Sequence, residues 1–184
     1  MTELTRIVPP LADPAGPLEF YDSTTPLQSI PDRDFVFLYR DGDYGPAGVA
    51  AAPYFRHVRW YTVLGDWRNC GAADYEPGNA VYQNPGLLRE YVLGRQSIGK
   101  RARVYCDRAN AARAWSQVSD LPRLFIIATL DGTDWTAQDL AEDLAIGWDA
   151  PIPAADIWAN QNIGSAQNGG RNYDRSTLFA GHAW

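Results

Sequence analysis

The sequence is poor in the residues that most metal and redox sites need: 184 residues contain two cysteines and two histidines. Cys70 and Cys106 are too few for a disulfide scaffold, their spacing fits no zinc motif, and they read as two half-buried thiols. His57 opens a strand-like run and His182 lies near the other end of the chain, so neither sets up a Ser–His–Asp arrangement. There is no H-E-x-x-H and no His/Cys cluster, and no metal or other cofactor is expected. The acidic stretch DRDFVFLYRDGDYG lacks the twelve-residue ligand pattern of a calcium loop. Basic residues are outnumbered 16 to 22, for a formal net charge of −6. A chain with that balance repels phosphate backbones, so nucleic acid is not an expected partner. No apolar run reaches eighteen residues, so no membrane span is expected. MTELTRIVPPLADPAGP has no apolar h-region, so no secretory signal peptide is expected either.

What is present is the composition of a folded protein. Hydrophobic residues make up 46% and charged residues 21%, with seven Trp and ten Tyr. The length suits one core. Residues 1–17 hold four prolines and no apolar periodicity, which predicts an extended arm. Residues 18–184 are expected to form a single domain.

Eight strand candidates run through that domain: LEFYD (18–22), FVFLYR (35–40), HVRWYTVL (57–64), CGAADYE (70–76), ARVYC (102–106), LFIIATL (124–130), AADIWANQ (154–161) and YDRSTLF (173–179). Several are apolar on both faces, as central strands covered on each side must be. Between them, 85–99 carries Leu87, Leu88, Tyr91 and Val92 at helical spacing. Residues 110–118 follow Asn110 as N-cap, 136–145 follow Thr136, and 45–56 suit a short helix. The alternation predicts an α/β fold with a largely parallel sheet. Eight strands with three or four helices fit a compact barrel that lacks part of the outer helical ring.

Asp74 and Glu76 stand two apart at the end of the fourth strand, so period-two geometry turns both to one face. In a barrel that face is the interior, near the C-terminal rim where active sites sit. Gly71, Ala72 and Ala73 leave room beside them. Two carboxyls held close in a partly dry site do not both ionise easily, and one can then serve as a general acid. Asp22 and Asp174 flank the first and last strands, which are neighbours if the barrel closes. Asp66, Asp107 and Asp131 also follow strands, and read as turn and helix-capping residues. The Gly- and Asn-rich run GSAQNGGRN (164–172) reads as a rim loop.

The order FYDS, D-Y-E, VYCDRA, IIATLDG, DIWANQ and NYDRS resembles the family 25 glycoside hydrolases, which are lysozyme-like muramidases. It is also similar to related glycoside-hydrolase-like domains of actinobacteria and their phages. The resemblance runs from about residue 18 to 181. It implies a flattened, TIM-like α/β barrel of about eight mostly parallel strands with few helices. It further implies Glu76 as general acid, Asp74 as its partner carboxylate, Asp22 on the site floor and Asp174 beside it. Tyr105 and Trp158 fall where the family lines its sugar cleft with aromatics. The chain departs from the family where Ser23 follows Asp22 directly and where IWANQN replaces W-Q-Y.

The resulting expectation is a phage tail-associated protein, such as a minor tail protein of the virion, that engages bacterial cell-wall glycan with its hydrolytic step weakened or lost. The N-terminal arm would dock to other virion or tail proteins. The alternative is an active peptidoglycan muramidase released at lysis, with Glu76 as proton donor.

Overall fold

The computed structural model describes residues 19–26, 30, 35–164, 173–179 and 181–182. The arm expected over 1–17 and most of the rim loop lie outside these residues. Eight strands close into one barrel in simple sequence order. They are β1 (Glu19–Asp22), β2 (Phe35–Tyr39), β3 (His57–Thr62), β4 (Ala72–Asp74), β5 (Ala102–Asp107), β6 (Arg123–Ala128), β7 (Ile157–Ile163) and β8 (Asp174–Leu178). Neighbours from β1 to β7 pair in parallel. β8 returns antiparallel to both β7 and β1. Its first residue therefore stands at the same end of the barrel as the last residues of the parallel strands. That end is called the mouth below, and the opposite end the floor.

Helices are few. α1 (Gly45–Ala51) follows β2, α2 (Ala80–Gln83) and α3 (Pro85–Ser97) follow β4, α4 (Arg108–Val118) follows β5, and α5 (Ala137–Gly147) follows β6. α5 starts as expected: the Thr136 hydroxyl accepts from the Asp139 N–H at 3.1 Å and donates back to its carboxylate at 2.7 Å. α4 starts earlier than expected. Asp107, not Asn110, is its N-cap and accepts from the Asn110 N–H at 2.8 Å. The carboxylate beats Asn110 because it already sits at the strand end, where the chain turns from extended to helical backbone. The fourth strand is also shorter than its sequence pattern, ending at Asp74. One further bond, from the Tyr75 N–H to the Tyr105 carbonyl, carries the ladder past it.

Two layers of core follow from strand alternation. Inward residues Phe20, Phe37, Tyr61, Ile126 and Trp158 are fully or almost fully buried. Their rings interlock, with Phe20–Phe37 centroids at 5.2 Å, Phe20–Trp158 at 5.4 Å and Phe37–Tyr61 at 4.5 Å. The interior is thus a packed core and not a pore, and each such side chain stabilises the fold by roughly 1.5–3 kcal/mol through burial. Outward residues Val104, Phe125 and Ile127 meet Leu88 and Val92 of α3, Ala114 of α4, and Leu140 and Leu144 of α5. On the other side, Val36 and Leu38 pack with Ala51 and Phe55. There α1 lies so close to β2 that a Cβ at Gly48 would collide with the Tyr39 carbonyl. Cys70 and Cys106 are free and buried, unpaired with each other. Among the described residues no helix is long and apolar enough to cross a membrane.

Candidate active site

The mouth gathers carboxyls from three separate stretches of chain. Asp22 and Asp174 are direct cross-strand partners in the β1–β8 ladder. Asp74 ends β4 and points inward from it. Glu76, two residues on, is half-buried at the rim. Asp22 is 6% exposed and Asp74 3%. Charges on Asp174, Asp74 and Glu76 all act on Asp22, so the four acids share one electrostatic neighbourhood.

The hydrogen-bond partners of Asp22 and Asp74 among the described residues are neutral donors. The Tyr39 hydroxyl donates to Asp74 Oδ2 at 3.1 Å. Gln161 Nε2 donates to Asp22 Oδ2 at 3.1 Å. The Tyr105 hydroxyl donates to Gln161 Oε1 and also lies against Glu76, favouring its ionised form. Asn79 Nδ2 donates to the Asp74 carbonyl at 3.1 Å, holding the turn that presents Glu76. Among the described residues, Asp74 Oδ1 and the Tyr61 hydroxyl are buried without a hydrogen-bond partner.

The consequence is a high proton affinity. Burial pushes Asp74 up to about 8, with the Glu76 charge adding to it and the Tyr39 bond opposing. Burial also raises Asp22, with Asp174 the next cause. Glu76 is raised by burial and then by the charge of Asp107. Like charges crowded in a poorly solvated site titrate as a group, so the mouth holds protons at neutral pH.

The remaining strand-end acids do other work. Asp107 caps α4. Asp66 accepts from the Arg68 and Asn69 N–H groups at 3.2 and 3.3 Å. Asp131 accepts from the Thr133 N–H at 3.0 Å and pairs with Arg108 at 3.1 Å. Asp41 accepts from the Val63 N–H at 2.7 Å and from the Thr62 hydroxyl. Thr62 Oγ1 in turn accepts from the Gly65 and Asp66 N–H groups at 2.8 and 2.9 Å. That network shapes the loop between β3 and β4.

The two aromatics expected along a sugar cleft are placed differently. Trp158 is fully buried. It is the second residue of β7, which puts it toward the floor, and the Arg103 guanidinium covers its ring at 4.2 Å. Tyr105 reaches the mouth with its hydroxyl, but its ring is only 7% exposed. Neither presents an open face for stacking. The aromatics nearer solvent are Tyr39 and Tyr44, with centroids 5.5 Å apart and Tyr44 half exposed. Sequence reading missed Tyr39, Tyr61 and Gln161. Tyr39 and Tyr61 share the inward parity of Phe37 on their strands, and that was the available signal.

Among the described residues, no group of three or more His, Cys, Asp or Glu side chains is placed to hold a metal ion. The arrangement can hold and release protons beside a polar ligand. Comparison with protein-family models gives no match, and comparison with curated proteins gives none either.

Proposed function

We propose that this protein is a phage tail-associated, glycoside-hydrolase-like barrel that engages bacterial cell-wall glycan at its acidic mouth. One observation carries the reading: Asp22, Asp74, Glu76 and Asp174 meet at the C-terminal end of the barrel, and burial and mutual charge raise the proton affinity of Asp22, Asp74 and Glu76. The order of strand motifs that resembles the family 25 glycoside hydrolases supports the same assignment. The tail placement rests on the similarity to phage domains and on the Pro-rich composition of residues 1–17, which suits docking to another virion protein.

The chemistry such a mouth favours is acid catalysis of glycosidic cleavage. Glu76 is the half-buried rim acid, and burial with the charge of Asp107 shifts it toward the protonated form that a proton donor to the leaving oxygen needs. As positive charge develops on the sugar ring, ionising a second carboxyl becomes easier. Asp74 or the substrate's own N-acetyl group then stabilises that charge. A reading without turnover is favoured by the departures from the family's pattern at Ser23, directly after Asp22, and in IWANQN of the seventh strand.

Dye release from purified mycobacterial-type cell wall separates the two. An active protein releases dye, and Glu76→Gln lowers the rate by about a hundredfold or more with thermal stability nearly unchanged. A binding-only protein sediments with the wall but releases nothing. If wild type neither releases dye nor sediments with the wall, the glycan reading fails.

A further inference from the structure

The floor of the barrel is the electrostatic opposite of the mouth. A recess of about 450 Å3 opens there, lined by Arg59 of β3, Arg95 of α3, Lys100, Arg101, and Arg103 of β5, with Trp158 in its wall. Among the described residues no acidic side chain lines it. His182 completes the lining, and its pKa is lowered by burial and then by the nearby arginines. Five cations therefore converge on one concavity in a chain whose net charge is −6.

Arg103 is 7% exposed, and its Nε has no hydrogen-bond partner among the described residues. Its guanidinium lies over the Trp158 ring, which accommodates the charge but does not neutralise it. Burial lowers the Arg103 pKa to about 9, with Arg59 the next cause, and Arg59 itself is lowered by burial and by Arg95. A guanidinium nevertheless keeps its proton at neutral pH. Loss of a proton therefore does not relieve the crowding of these cations at neutral pH, whereas an anion would.

We propose that the floor recess is a binding site for a phosphate-class oxyanion carrying two or more negative charges. Planar guanidinium forks match phosphate oxygens in pairs, and Lys100 adds a point charge at the rim. A single carboxylate would leave most of the positive charge uncompensated. The volume accommodates a diphosphate or a phosphorylated sugar with room beyond one phosphate group. The site lies at the opposite end of the barrel from Glu76, so it stands or falls independently of the glycan reading.

The test is calorimetric titration of the full chain with inorganic pyrophosphate, and separately with glucose 1-phosphate, at constant ionic strength. Saturable binding is expected. Lys100 and Arg101 are exposed, so the double variant Lys100→Ala/Arg101→Ala retains the fold and should weaken binding about tenfold or more, as loss of charge-assisted bonds does. Arg103→Met keeps side-chain bulk against Trp158 and should weaken it further. Glu76→Gln should leave it unchanged. Tighter binding of glucose 1-phosphate assigns the anion to a sugar phosphate, and tighter pyrophosphate binding to a free diphosphate. Absence of saturable binding by either probe, or equal binding by wild type and the Lys100/Arg101 variant, overturns the proposal.

Discussion

Mouth and floor are built from the same strands and differ by a few residues along each. β3 carries Arg59 toward the floor and Tyr61 further along, and β5 does the same with Arg103 and Tyr105. β4 adds Asp74 at the mouth. Between the ends lies a plug of aromatic rings. The difference lies in how each end handles like charge. Carboxyls can take up protons, so the mouth relieves its crowding by staying partly neutral among Tyr and Gln donors. Guanidinium groups cannot, so the floor stays charged and leans on the Trp158 face and on whatever anion reaches it. Net charge alone argues against a phosphate-bearing partner. A local cluster overrides that average, because screening confines electrostatic influence to about 10 Å or less at physiological salt.

The comparison breaks most severely if the plug is removed. Trp158→Ala empties the wall between the ends and strips Arg103 of its ring. It should cost about 3–5 kcal/mol in urea unfolding, the usual loss for a fully buried large aromatic. A loss below about 1 kcal/mol, far under that range, would mean the floor end is not part of the cooperative core.

Next in size is the pH dependence of the mouth. Asp74 has a folded-state pKa raised from 3.8 to about 8. Below about pH 4 both folded and unfolded states keep this proton, and the group costs nothing. As pH rises toward 8 the unfolded chain ionises while the folded one stays protonated, so stability falls through that window. Asp74→Asn should remove that slope and raise stability at neutral pH by roughly 2 kcal/mol. This is less than the full linkage value, because protons are shared with Glu76. Thermal melts from pH 4 to 8 provide the check, and parallel curves for variant and wild type would refute the buried-acid account.

The smallest effect sharpens the role of neutral donors. Tyr39→Phe deletes one bond to Asp74 and should cost about 0.5–1.5 kcal/mol at neutral pH. It should also raise the Asp74 pKa, because the bond favours the ionised carboxylate. Carboxyl titration followed by carbon-detected NMR would show the shift. An unmoved Asp74 would assign its proton affinity to burial and Glu76 alone.

Much of this architecture was legible in the amino-acid order. All eight strands lie within a few residues of their apolar runs, because a strand covered on both faces must be apolar on both. Inward placement of Asp74 followed from period two, and the Thr136 cap from a hydroxyl before an amphipathic run. Asp22 and Asp174 could be paired in advance because closing a barrel makes the first and last strands neighbours. Other features were decided by the tertiary structure. Trp158 belongs to the plug and not to a cleft because it enters β7 at the floor end, and height within a barrel depends on strand stagger. Gln161 reaches Asp22 across 139 positions of sequence. The floor cations come from β3, from the end of α3 and from β5, and no local pattern ties them together. Alternation is a property of one strand and can be read from it. Which side chains meet at the same height is a property of how eight strands are staggered, and that is fixed only when the barrel closes.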